Sequence, residues 1–202
     1  MLLIWGWRTR FKIVANGLFH CPSCGADRHF ARKQARRWFT VFFLPLIPLK
    51  VLGEFVECQT CKKGYDERIL QMPTSAALTE HLVAATREGV VQLLRVDDSP
   101  SGRAAALIAL SQVSGVAWSD EILASDLVSL DVTHLPHRLR QLGEVMNEHG
   151  KEGFLASLAN IAAGGGVIAA PSRQTLDAMA ADLGMTPAHA RGVIDQVLDP
   201  TR

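Results

Sequence analysis

Hydrophobic positions change rhythm at Pro73. Before it, apolar residues come in short runs rich in aromatic and β-branched types, which favour strands. Leu2 to Trp7 reads as a short strand, and Arg8 to Ile13 as its continuation toward a turn at Asn16-Gly17. Trp38 to Leu49 is apolar except for Thr40, Pro45 and Pro48, and the prolines are expected to break it into segments. In that run Trp38, Thr40, Phe42 and Leu44 would share one face, and Phe39, Val41 and Phe43 the other. Both faces are apolar, so both should be covered. Val51 to Glu57 is a further strand.

After Pro73 the period becomes helical. Thr74 or Ser75 can cap a helix carrying Leu78, Leu82, Ala85 and Leu93 on one face. Asp97-Asp98-Ser99-Pro100 breaks it. Ala104 to Val113 is apolar nearly all round, as a central buried helix would be. Ser119 caps a third helix, and Leu135, Leu139, Leu142 and Met146 mark a fourth, ending near Gly150. Phe154, Leu158 and Ile161 mark a fifth, and Leu176, Met179, Ala180 and Leu183 a sixth, closed by Gly184. Thr186-Pro187 begins the last, with Ala190, Val193, Ile194 and Val197 inward. The expected fold class is α+β, a small β-rich domain over 1–70 followed by an all-α seven-helix domain over 74–199.

The four cysteines of the chain form two C-x2-C pairs, Cys21/Cys24 and Cys58/Cys61, with 33 residues between them. Two such hairpins face to face make a tetrahedral sulfur site. Gly25 and Gly64 follow the pairs and are expected to supply the positive φ of tight turns. Two disulfides or four unrelated thiols are the alternatives, but paired spacing with none left over points to metal. Zinc is favoured, and the same cage can hold a single iron. With all positions taken by thiolates the site is closed, hence structural, and one zinc would supply folding free energy that a small core lacks.

Charge divides the chain as texture does. Residues 1–70 hold twelve Lys/Arg against five Asp/Glu, a net of +7, and residues 71–202 hold nine against fifteen, a net of −6. The start lacks the basic flank, h-region length and cleavage site of a signal peptide, and no apolar stretch reaches the roughly 18 residues of a span. Thiols reserved for metal suit a reducing compartment, so a cytoplasmic location is expected.

The stretch Arg36-Arg37-Trp38-Phe39-Thr40-Val41-Phe42-Phe43-Leu44-Pro45-Leu46-Ile47-Pro48-Leu49, closing with Gly53-Glu54-Phe55-Val56-Glu57-Cys58, resembles a bacterial zinc-ribbon family that places such a segment between its knuckles. The resemblance covers roughly residues 1–70. The helical half resembles the TerB-like family, associated with tellurite resistance and stress response, over Ile161 to Ile194. Leu183-Gly184-Met185-Thr186 stands where that family has a leucine-glycine-hydrophobe-serine/threonine turn. The family's acidic positions, proposed as metal ligands, fall here on Gly165 and Arg173, and the earlier equivalent near Ser114-Gly115 also lacks its acid. The resemblance therefore implies the fold and not metal binding, since an arginine opposes a hard cation.

Gly164-Gly165-Gly166-Val167-Ile168-Ala169 fits a dinucleotide fingerprint formally but follows a helical pattern, so a helix–helix turn is expected. No nucleophile, metalloprotease or P-loop pattern is present, and no small-molecule substrate is indicated. Arg32, Lys33, Arg36 and Arg37 form a basic cluster whose partners are the acidic helical domain, nucleic acid or an anionic membrane surface. Trp38, Phe39, Phe42 and Phe43 are interface candidates, to be covered most simply by the helical domain, otherwise by a second copy or a membrane. Together these features point to a non-enzymatic interaction protein with an unidentified protein partner. A nucleic-acid-binding ribbon with a helical regulatory domain is the alternative.

Overall fold

A computed structural model describes residues 5–41, 44–164 and 166–199. The layout is α+β: four antiparallel strands, then seven α-helices, counted among the described residues. The chain divides into two units, Met1–Ala77 and Leu78–Arg202.

The first unit is built on long strands: β1 (Trp5–Cys21), β2 (Ala26–Val41), β3 (Leu44–Cys58) and the two-residue β4 (Gly64–Tyr65), paired in the order β1-β2-β3-β4. The expected turn at Asn16-Gly17 is absent. Both residues stay in register, Asn16 opposite Ala31 and Gly17 opposite Phe30. Gly17 is small for another reason: a Cβ there would lie 2.8 Å from the Phe30 ring. Nor do the prolines divide the apolar run. Pro45 and Pro48 lie inside β3, opposite Thr40 and Trp38. They are tolerated because β4 pairs only with Val56 and Glu57, which leaves this part of β3 an edge with no donor required. Phe42 and Phe43 lie outside the described residues.

Register decides which side chains share a face, and bulges shift it. One near Val14 and three irregularities along β3 interrupt simple alternation. One face of the sheet carries Cys21, Cys58, Phe19, Phe30, Arg32, Gln34, Arg36 and Trp38. The other carries Trp7, Phe11, Ile13, Lys33, Arg37, Phe39, Ile47 and Phe55. The core of this unit sits at the cysteine end, where Phe19, Phe30 and Val56 pack with Tyr65, Ile69 and Leu70. Ile69 and Leu70 come from a 3₁₀ turn, Glu67–Gln71, which Asp66 caps by accepting the Arg68 amide. Toward the opposite end Trp7, Phe11, Ile13, Leu46 and Ile47 are each more than half exposed.

The helices are α1 (Ser75–Val96), α2 (Pro100–Ser114), α3 (Asp120–Ser129), α4 (Leu135–Val145), α5 (Glu148–Ala163), α6 (Ala170–Asp182) and α7 (Pro187–Leu198). Their starts follow the expected caps: Thr74, Ser99, Ser119 and Thr186 side chains each accept an amide of the first turn. Two expectations are corrected. Asn147 caps α5, which places Gly150 within its first turn instead of at the end of α4. The central helix is α5, burying Phe154, Leu155, Leu158, Ala159 and Ile161, whereas α2 buries only Gly102, Ala106 and Leu110 and leaves Ile108 exposed. Short alanine side chains make α2 apolar without making it central.

Buried charges in the second unit are paired. Arg87 holds Asp126 through two hydrogen bonds of 2.5 Å and lies over Trp118, while Arg138 meets Glu88 at 3.0 Å. Gly143 in α4 allows close approach, since a Cβ there would sit 2.4 Å from the Leu183 carbonyl oxygen. The triple-glycine motif follows a helix, as expected. Gly164 caps α5 at φ +53°, and the Gly166 amide returns to the Ala163 oxygen.

Candidate metal centre

Each C-x2-C pair sits on a tight turn at a strand end. In the first, the amides of Cys24 and Gly25 both donate to the Cys21 carbonyl. In the second, the Lys62 amide donates to the Cys58 carbonyl, and the Cys58 amide to Lys63. Gly25 takes the expected left-handed φ of +62°. The equivalent residue of the second knuckle is Lys62, at φ +61°, and not Gly64. Both left-handed residues immediately follow the second cysteine of their pair. A lysine in that conformation is strained, because its Cβ crowds the following carbonyl.

The knuckles bring all four sulfurs within 4.8 Å of one another. Cys21 Sγ and Cys61 Sγ are 3.8 Å apart. That is too far for a disulfide between these two, all four cysteines are free thiols, and the separation matches the roughly 3.8 Å edge of a tetrahedron with metal–sulfur bonds of about 2.3 Å. Cys21 and Cys58 are fully buried, and Cys24 and Cys61 partly so. Among the described residues this is the one His/Cys/Asp/Glu group close enough to hold a metal ion.

The electrostatics call for a cation. Burial opposes ionisation of Cys21 and Cys58, but hydrogen bonds outweigh it in both. Tyr65 and the Cys24 amide bring Cys21 to about 6, and the Cys61 and Thr60 amides hold Cys58 below the ordinary thiol value. Cys24 moves the other way, pushed up to about 12 by burial and by the neighbouring cysteines. Sulfurs this close cannot all ionise against one another. A divalent cation at their centre removes that conflict and takes all four as thiolates.

Tyr65 is a functional residue that motif reading missed. Its hydroxyl lies 2.8 Å from Ser23 Oγ and 3.3 Å from Cys21 Sγ, linking the second hairpin to the first knuckle. The Cys21 sulfur holds the phenol above its ordinary value, so it remains a donor. As the single tyrosine of the chain, four residues beyond Cys61, it offered only its position as a signal. Asp27 was missed as well. Its carboxylate accepts from the Ser75 amide at 2.9 Å and the Ser75 hydroxyl at 3.1 Å, at the start of α1 and within the same unit.

The predicted basic cluster is not one patch. Alternation along β2 puts Arg32 and Arg36 on one face and Lys33 and Arg37 on the other. Arg32 is held by Glu54 at 2.6 Å and Glu67 at 3.0 Å, and Lys33 by Glu57 at 2.7 Å. These carboxylates belong to the ribbon's own unit. Arg36 donates to the Leu49 carbonyl, and both Arg36 and Arg37 are exposed. Of the interface candidates, Trp38 and Phe39 are half-buried on opposite faces, and Trp7 meets Phe39 edge-on at 5.3 Å.

In the second unit, Arg173 forms ion pairs with Asp177 and Asp195, which makes it a clamp between α6 and α7. Gly165 lies outside the described residues. A cleft of about 480 Å³ between α5 and α7 is lined by His149, Glu152 and His189, with His189 Nε2 2.7 Å from Glu152. No helix among the described residues is long and apolar enough to cross a membrane.

A search of curated proteins and one of solved structures returned no match. A family model does match part of the chain: residues 19–81, which contain both knuckles and all four cysteines, are similar to the zinc-ribbon family.

Proposed function

We propose that the protein is a non-enzymatic interaction protein of a bacterial stress or tellurite-resistance type system, in which one structural zinc holds the ribbon in shape for a partner. The observation that carries this reading is the closed cage: four convergent cysteine sulfurs, two fully buried, leave no coordination position for water or substrate. The TerB-like half of the reading is supported by the Leu183–Thr186 turn. There Leu183 and Met185 are buried, Gly184 takes φ +76° and Thr186 caps α7. Among the described residues, Arg173 stands in one of the two slots where the family has acids, and its guanidinium pairs with Asp177 and Asp195. Calorimetric titration of the full zinc-loaded chain with calcium and magnesium should show no saturable binding. Metal analysis should give one zinc per chain, and an iron-containing red preparation contradicts the zinc assignment.

A nucleic-acid-binding ribbon is the weaker reading. Two of its four proposed contacts, Arg32 and Lys33, are engaged with carboxylates. It requires binding that weakens steeply with salt and a slope that flattens on replacing Arg36 and Arg37.

A further inference from the structure

The sheet is graded along its length. At the cysteine end acids and bases alternate and pair. At the opposite end three stretches without charge, Trp5–Trp7 of β1, Trp38–Val41 of β2 and Leu44–Leu49 of β3, pair with one another, and there Trp7, Leu46 and Ile47 are exposed by 59%, 59% and 54%. Between these ends lies a band of exposed cations: Arg8, Arg10, Lys12, Arg36, Arg37 and Lys50. No carboxylate occurs in β1, or in β2 and β3 from Gln34 to Gly53. Arg10 stands directly opposite Arg36 on the same face. Like charges in that position repel, and an anion between them would relieve the repulsion.

We infer that this end of the ribbon is a peripheral membrane anchor whose partner is an anionic bilayer surface. The inference rests on the interaction-protein reading and names its partner. A bilayer boundary satisfies both features at once. Trp7, Leu46 and Ile47 enter the headgroup–acyl boundary, and the cationic band meets acidic headgroups just outside it. An aromatic residue at that level followed by long basic side chains suits the interface, where arginine and lysine stems run through apolar surroundings and their charges stay in water. Nucleic acid would use the cations and leave the apolar end without a role. A second copy packed by the apolar ends would bring two cationic bands together.

The test is flotation of the full zinc-loaded chain with vesicles of phosphatidylcholine alone, and of phosphatidylcholine with phosphatidylserine at about three to one. The protein should float with the anionic vesicles only, and added salt should release it. Arg10→Glu/Arg36→Glu should weaken vesicle binding about tenfold or more. Trp7→Ser, and separately Leu46→Ser/Ile47→Ser, should weaken it comparably while zinc content stays unchanged. Absence of flotation overturns the inference, as does flotation indifferent to lipid charge. Binding that both apolar variants retain in full overturns it too, because the contact is then purely electrostatic. A dimer by light scattering that the apolar variants dissociate, with no flotation, assigns the surface to a second copy. Zinc measured in the same samples separates the outcomes: one zinc per chain without flotation removes the membrane partner and leaves the structural site standing.

Discussion

The two units bury their apolar residues in opposite ways. In the helical unit, leucines from α1 through α6 join one core, and Leu110, Leu123, Leu139, Leu155, Leu158 and Leu176 are essentially inaccessible. In the ribbon the buried set is Phe19, Phe30 and Val56 together with Cys21 and Cys58, while Trp7, Phe11, Ile13, Leu46 and Ile47 are exposed on the protein's surface. Hydrophobic burial is enough to hold the first. The second has long strands but little enclosed apolar surface, and the structural zinc proposed above would supply the remainder of its stability through the cysteine cage. The comparison implies that the two units respond to different insults.

Predictions that test this contrast can be ranked by size. Leu155→Ala should destabilise the helical unit by about 3–4 kcal/mol, since α5 has no room to collapse, and should leave zinc affinity unchanged. Thermal denaturation with a parallel zinc assay checks both halves of that statement. Loss of zinc from this variant would show that the units do not derive their stability separately. Tyr65→Phe should act in reverse, lowering zinc affinity about tenfold by removing the hydroxyl beside Cys21. Competition with a chelator measures it, and the helical transition should not move.

Lys62→Gly should raise the stability of the ribbon by about 1 kcal/mol, because glycine adopts the φ of +61° without strain. A chelator-dependent unfolding curve reads the gain. The smallest effect is a pH dependence. Hydrogen bonds from the Ser75 amide, joined by its hydroxyl, His20 and the Ala76 amide, outweigh burial and hold the Asp27 carboxyl below its ordinary value. A carboxyl depressed in the folded state contributes stability that is present above the unfolded value of about 4 and lost as pH falls through the folded one. Asp27→Asn should remove that part of the acid dependence. An unchanged acid limb would mean that Asp27 does not hold the start of α1.

Much of this was legible in the sequence because it depends on local chemistry. Two C-x2-C pairs with no cysteine left over define a cage, and Ser99-Pro100, Ser119 and Thr186-Pro187 start helices by capping orphan amides. What was not legible depends on register. Asn16-Gly17 has the composition of a turn, yet Phe30 across the sheet needs the space over Gly17. Pro45 and Pro48 break a central strand but not an edge, and their edge position follows from how short β4 is. Arg32 and Lys33 are adjacent in sequence and point to opposite faces, each toward a glutamate more than twenty residues away. The alanine-rich α2 looked central because hydropathy counts apolar positions without weighing their volume.

Amide hydrogen exchange on the full chain, before and after zinc is extracted, tests the central claim most directly. Removing the metal should abolish protection along β1, β2 and β3 and leave α5 as protected as before. Strands that stay protected without zinc would contradict the account, because the sheet would then stand on its own packing and the cysteine cage would not be what holds it.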